Sequence, residues 1–183
     1  GVELSEEMAV QARVMGVECH VGDISIFSLK SKFDAVISLF HVISYITDSD
    51  KILESFKNIN NHLHQGGIFL FDFWYSPAVY NMQPEVRIKR IENEELRITR
   101  IAEPQIHYNS NIVDVNFEVI IEKKDARKVN YINEKHPMRH FSLPEFEILA
   151  TSTGFEIVEI EEWMTGDEPS ENTWGVCLIL RKK

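Results

Sequence analysis

The sequence of 183 residues is short of cysteine, of basic residues and of long apolar runs. Its two cysteines, Cys19 and Cys177, lie far apart and form no metal-binding or redox spacing, so we expect a reducing cytoplasm. No apolar run approaches the ~20 residues that a membrane-spanning helix needs. Lys and Arg number 19 against 29 Asp and Glu, and the resulting formal charge of −10 opposes binding to phosphate backbones. The composition therefore favours a small-molecule partner over a membrane or a nucleic acid.

The first 73 residues alternate between strand-like and helix-like segments. Ser5 and Asp48 have the side chains of helix N-caps, and Gly16 follows the first predicted helix. The nearly continuous apolar run 33–40 predicts a parallel strand covered on both faces. The predicted strands are 1–4, 17–21, 33–40 and 68–73, and the predicted helices are 5–15 and 48–63. This order is typical of an α/β fold with a parallel sheet.

Beyond Trp74 the pattern changes to strands without intervening helices. Apolar and polar residues alternate in each, which predicts an antiparallel sheet with one packed face and one wet face. Ser142 and Glu145 form a capping box that begins a helix ending near Gly154. The predicted strands are 86–91, 96–101, 112–121 and 128–132 before this helix, and 155–163 and 174–181 after it.

Two acidic residues occupy corresponding positions at the carboxyl ends of the first two predicted strands. Glu3 and Asp23 each lie at a carboxyl strand end, where open α/β sheets bind their ligands. A carboxylate there can accept from ribose hydroxyls or from an adenine amino group. Either residue alone is more often a simple helix-flanking acid, but their joint placement favours a site for an adenosine moiety.

Four segments in this order resemble class I S-adenosylmethionine-dependent methyltransferases. They are 1–8, 21–24, 33–38 and 63–69. The resemblance implies an α/β, Rossmann-like class I methyltransferase sheet with an antiparallel β insert, and S-adenosylmethionine as the cofactor. The implied cofactor contacts are Glu3, Leu4, Met8, Asp23, Ile24, Leu39 and Phe40.

The second half of the chain narrows this resemblance. Residues 72–77, the insert and 140–142 are similar to N,N-dimethyltransferases that act on nucleotide-linked amino sugars. The resemblance thus implies methyl transfer to a small-molecule acceptor, in particular an amine. It also implies one domain with a cofactor-binding part at 1–73, a substrate or oligomerisation insert at 74–141, and a closing helix and two strands at 142–183.

The residues that could act on the acceptor lie just beyond strand ends. His41 could accept a proton, and Asp72 could bind an amine or a hydroxyl. Trp74 and Tyr75 could enclose a methylated ammonium by cation–π contact, with packing in the core as the alternative.

Two further candidates lie before the late helix. Arg139 and His140 could face a substrate phosphate, although a solvated turn is the alternative. The spacing of His136 and His140 could chelate a metal on a helix, but Pro137 disfavours a helix there, so we assign no metal.

One part of the family pattern does not appear in this sequence. The glycine-rich loop that follows the family's first strand is absent, and we expect that strand and a Gly-x-Gly turn to precede Gly1, giving an N-terminally truncated sheet. A cofactor-incompetent fragment or assembly module is therefore an alternative to an active enzyme. A nicotinamide-dependent oxidoreductase is a third, against which the insert and the closing strands argue. Pairing of the alternating strands with a second copy would give a homodimer.

Overall fold

The computed structural model describes residues 1–125 and 128–183. It contains ten strands, four α-helices and a 3-10 turn at Val42–Tyr45 within that part of the chain. The strands are β1 (Val2–Glu3), β2 (His20–Val21), β3 (Phe33–Ser38), β4 (Leu63–Tyr75), β5 (Arg87–Glu92), β6 (Leu96–His107), β7 (Ile112–Lys123), β8 (Lys128–Phe141), β9 (Phe155–Glu162) and β10 (Gly175–Lys182). The helices are α1 (Glu6–Val14), α2 (Ser49–His62), α3 (Ser76–Met82) and α4 (Leu143–Ser152).

The strands form a parallel β1–β2 pair and an eight-stranded mixed sheet. In the large sheet β4 pairs in parallel with β3 and antiparallel with β10, which in turn pairs antiparallel with β9. Strands β5 to β8 form an antiparallel meander. The carboxyl-terminal end of β4 pairs in parallel with the end of β8, through Trp74–His140 and Tyr75–Phe141. The predicted insert therefore continues the main sheet.

The core lies on one face of β4, where Phe69, Phe71 and Phe73 are fully buried. Residues two apart on a strand share a face, so these rings form a row against the helices. Phe56 of α2 and Phe146 of α4 pack on this row, with ring centroids 5.3 Å apart for Phe56–Phe69 and 4.4 Å for Phe73–Phe146. The apolar face of α2 thereby packs against the middle of β4, next to the residues that pair with β3.

Helix boundaries follow the predicted caps. The Asp48 side chain accepts from the Lys51 backbone N–H at 2.9 Å, and α2 begins at Ser49. Ser142 and Glu145 form the predicted capping box at the start of α4. The Ser5 hydroxyl accepts from the Met8 N–H at 3.3 Å. Local side-chain chemistry therefore decides where these helices start.

Several predicted elements differ from the structure. Strands β6 and β8 are longer than predicted, and α3 occupies a segment without a predicted helix. The expectation that 33–40 is covered on both faces is wrong, because Phe33 and Ile37 are 38% and 63% exposed. Among the described residues, β3 pairs along one edge only, with β4, and its other side borders a cleft.

No helix in the described ranges is long and apolar enough to cross a bilayer.

Candidate functional site

A cleft of about 870 Å³ separates the β1–β2 pair from β3. The start of α2 and the 3-10 turn close one side of it through Tyr45, Asp48 and Lys51. Apolar side chains of β3, including Val36 and Ile37, also line it. Binding sites for small organic ligands typically have volumes of about 300–1,000 Å³, and their walls are mostly apolar with a few polar groups. The cleft has this character.

Glu3 and Asp23 both line this cleft, as their positions at the carboxyl ends of the first two strands predicted. Glu3 Oε1 accepts from the Ser5 backbone N–H at 2.9 Å. Asp23 Oδ1 accepts from the Ser25 N–H at 2.9 Å and from its hydroxyl at 2.7 Å. These bonds to Ser25, followed by the more distant Lys51 ammonium, lower the pKa of Asp23. Two anchored carboxylates thus present acceptor oxygens to one cavity.

The other predicted cofactor residues divide into two groups. Leu4, Ile24 and Leu39 line the cleft with the two carboxylates. Met8 and Phe40 lie outside the lining and are 55% and 81% exposed. Both Phe40 and His41 adopt positive φ angles of 63°, a conformation that is uncommon for residues other than glycine. Such backbone conformations cluster at functional sites.

His41 and Asp72 meet between the ends of β3 and β4. Asp72 is 1% exposed, and both of its carboxylate oxygens lie 3.1 Å from the His41 backbone nitrogen. His41 Nδ1 lies 2.7 Å from Asp72 Oδ2, although it has no hydrogen bond of regular geometry. The predicted pair is therefore together, with Asp72 oriented by the backbone and a third of the His41 side chain exposed.

Trp74 and Tyr75 lie on opposite faces of β4, because successive strand residues alternate. Trp74 packs edge-to-face on Trp174 at 5.1 Å and lies 6.3 Å from the His41 ring. Tyr75 packs against the core and Phe73 at 6.5 Å. The structure therefore does not bring the two aromatics together around one cation.

Arg139 and His140 make intramolecular contacts. Arg139 donates to the Thr47 carbonyl at 3.4 Å and the Ser49 hydroxyl at 3.1 Å, and it lies 3.5 Å from Glu145. His140 is fully buried, with Nδ1 2.8 Å from the Ser76 hydroxyl oxygen. Burial lowers the pKa of His140 to about 4, so the imidazole is neutral near pH 7. Arg139 thus connects β8 to the start of α2, and His140 connects β8 to the start of α3.

No family model matches the sequence. Among curated proteins, the chain is 25% identical over 168 residues to dTDP-3-amino-3,4,6-trideoxy-alpha-D-glucopyranose N,N-dimethyltransferase of Streptomyces venezuelae, covering 91% of this chain and 69% of that protein. A solved S-adenosylmethionine-dependent methyltransferase of Clostridium acetobutylicum superposes with a TM-score of 0.83 at 21% identity, covering 99% of this chain and 73% of the other. The chain has the class I methyltransferase fold. A sugar N-methyltransferase from Streptoalloteichus also superposes with a TM-score of 0.83, at 20% identity over 100% of this chain and 70% of the other. The predicted resemblance to sugar N,N-dimethyltransferases is confirmed.

Sequence reasoning missed two polar residues that line the cleft, Tyr45 and Lys51. Tyr45 lines the cleft, and its hydroxyl oxygen lies 3.1 Å from His136 Nδ1, although 91 positions separate the two residues. Lys51 was also missed, and its ammonium lies 3.6 Å from Asp23 Oδ2. Polar residues in the first turn of α2 gave a signal for Lys51. No local pattern signals the long-range contact of Tyr45, because that contact depends on how β8 passes the 3-10 turn.

Proposed function

We propose that this chain transfers a methyl group from S-adenosylmethionine to the amino group of a small molecule, a nucleotide-linked amino sugar. The observation that carries this proposal is the convergence of Glu3 and Asp23 on one cleft of suitable volume. The similar protein from Streptomyces venezuelae also supports this proposal, because its name specifies N,N-dimethylation of a dTDP-linked amino sugar.

The residues of the cleft fit the adenosine part of that cofactor. Glu3 would accept from ribose hydroxyls and Asp23 from the adenine amino group, while Leu4, Ile24 and Leu39 would contact the apolar faces. Bound S-adenosylmethionine supplies a methyl group on a sulfonium, which a nitrogen lone pair can displace. The protein's task is to orient that nitrogen, keep it unprotonated and exclude water.

We propose that His41 accepts the proton which the amine releases. Its backbone and ring are held beside Asp72, whose buried carboxylate can stabilise an imidazolium. Trp74 lies next to His41 and would form an apolar wall on this side of the acceptor. Tyr75 and His140 would support the site through packing, and Arg139 would do so through its bonds to the segment before α2.

A methyl-transfer assay with isotopically labelled S-adenosylmethionine tests this function. We expect product with a dTDP-linked amino sugar and none with the same sugar that carries a hydroxyl in place of the amine. The E3Q and D23N variants should each lose activity, whereas E18Q should keep it, because Glu18 lies outside the cleft lining. Methylation of the hydroxyl sugar, or no transfer to any amino sugar, would contradict the proposal.

We further propose that the protein is a cytoplasmic homodimer. Cys19 and Cys177 are both free and buried, as suits a reducing compartment. Strand β5 is an edge strand, and its Ile88 and Ile91 are 52% and 55% exposed. Such an edge can pair with a second copy. Sedimentation as a monomer at high concentration would refute the dimer.

A further inference from the structure

Three side chains form a hydrogen-bonded chain that ends at the cleft. Glu134 and His136 lie two positions apart on β8, and Glu134 Oε2 is 3.1 Å from His136 Nε2. His136 Nδ1 is 3.1 Å from the hydroxyl oxygen of Tyr45, the last residue of the 3-10 turn. Tyr45 lines the cleft that contains Glu3 and Asp23. We name Glu134, His136 and Tyr45 the tyrosine relay.

The direction of these hydrogen bonds follows from the chemistry of each group. A carboxylate can only accept, so His136 Nε2 must carry the proton in its bond to Glu134. In the neutral imidazole Nδ1 is then an acceptor, and Tyr45 must donate to it. Burial, and secondly the charge of Glu134, raises the pKa of Tyr45 above its ordinary value, so the phenol stays protonated. With His136 neutral, the only proton of the Tyr45 hydroxyl is therefore used within the protein.

The surroundings hold this arrangement in place. The rings of His136 and Phe117 pack edge-to-face with centroids 5.0 Å apart, and the Arg100 guanidinium lies 5.2 Å from the centroid of the Phe117 ring. Tyr45 itself makes an edge contact with the His136 ring at 5.8 Å. The His136 side chain is only a third exposed, whereas Tyr45 is half exposed and lines the cleft. The relay thus holds the Tyr45 side chain by its hydroxyl and its ring edge, while half of that side chain stays exposed.

We infer that Tyr45 binds the acceptor of the methyl group by accepting a hydrogen bond from its N–H, with His136 and Glu134 as positioning residues. This inference rests on the proposed function and adds a residue to it. Since the hydroxyl proton points to His136, the free side of the oxygen offers lone pairs alone. Such a group binds a donor and orients the nitrogen so that its own lone pair faces away from Tyr45, towards the methyl donor. No covalent or proton-transfer step at Tyr45 is needed.

A matched pair of acceptors and a set of variants test this inference. The ligands are the amino sugar and an analogue with hydrogen in place of the amino group, and calorimetry measures both. We expect Y45F to weaken binding of the amino sugar about tenfold, the usual loss for one neutral hydrogen bond, and to leave the analogue unchanged. H136F should match Y45F, whereas H136N, which keeps an acceptor near Tyr45, should lie closer to the wild type. Y80F is the control, because the Tyr80 hydroxyl donates to Asn111 instead.

The outcomes separate this inference from the proposed function. Equal losses for both ligands in Y45F would mean that Tyr45 only supports the fold, and would overturn the inference. Turnover by the wild type with unchanged kcat/KM in Y45F would overturn it while leaving the methyltransferase function intact. Nitrogen NMR offers a readout independent of turnover, since the relay requires neutral His136 with its proton on Nε2. A proton on Nδ1 in the neutral ring would overturn the relay, whereas absence of methylation by the wild type would overturn the proposed function as well.

Discussion

Replacing His140 with Gln should flatten the dependence of stability on pH between pH 7 and pH 5. His140 is fully buried beside Ser76, and its pKa is lowered to about 4 by burial, with a smaller contribution from Arg139. The unfolded chain exposes the imidazole, whose ordinary pKa is about 6.5. As the pH falls below that value, the unfolded state takes up a proton that the folded state refuses. Acid therefore favours unfolding.

The size of this effect follows from the two pKa values. With about 4 in the folded protein and about 6.5 in the unfolded chain, His140 lowers the free energy of unfolding by about 2 kcal/mol between pH 7 and pH 5. The loss continues until the pH approaches 4, where the folded protein also binds the proton. The stabilisation is fully present above pH 6.5.

Urea unfolding at the two pH values measures this contribution. Each protein is compared with itself at pH 7 and pH 5, so any uniform loss of stability caused by H140Q cancels. H64Q is the control, because His64 is exposed on β4. The reasoning is refuted if wild type and H140Q lose the same stability between the two pH values, since the pH dependence then comes from other groups.

Three further changes should affect stability alone, each measured by urea unfolding. F56A should cost about 3–5 kcal/mol, because Phe56 is fully buried among four phenylalanine rings, and a loss below 1 kcal/mol would disprove that packing. G67A should cost about 1–3 kcal/mol, because an added Cβ would lie 2.9 Å from the His64 carbonyl oxygen; unchanged stability would contradict this close approach. S142A should cost about 1 kcal/mol through loss of the α4 cap, and a variant as stable as wild type would show that the capping box contributes nothing.

Local chemistry made much of the fold predictable. The cap at Asp48 and the capping box at Ser142 fixed helix starts because their side chains bond to N–H groups a few residues away. The apolar run before α3 predicted β4, because a buried strand is nearly continuously apolar, although the extension of β4 back to Leu63 was not foreseen. What the sequence did not predict is long-range: β8 continues to Phe141 because its end pairs with β4, a contact that no local pattern encodes.

Site residues could be predicted from sequence only where their position relative to a strand decides where they lie in the fold. Glu3 and Asp23 reach one cleft because they lie at the carboxyl ends of two strands that pair in parallel. Trp74 and Tyr75 could not both face one ligand, because strand alternation separates neighbours. Tyr45 was missed because its partner on β8 is distant in sequence. Residues next to a strand end can thus be proposed from sequence, whereas contacts across the insert need the structure.

Calorimetric titration of this chain with S-adenosylhomocysteine, the product form of the cofactor, tests most directly whether the cleft binds adenosine. We predict saturable binding that E3Q and D23N each weaken about tenfold, because each removes a charged acceptor, while E18Q leaves it unchanged. Loss of the same size in E18Q, or binding that is indifferent to both cleft variants, would contradict the account.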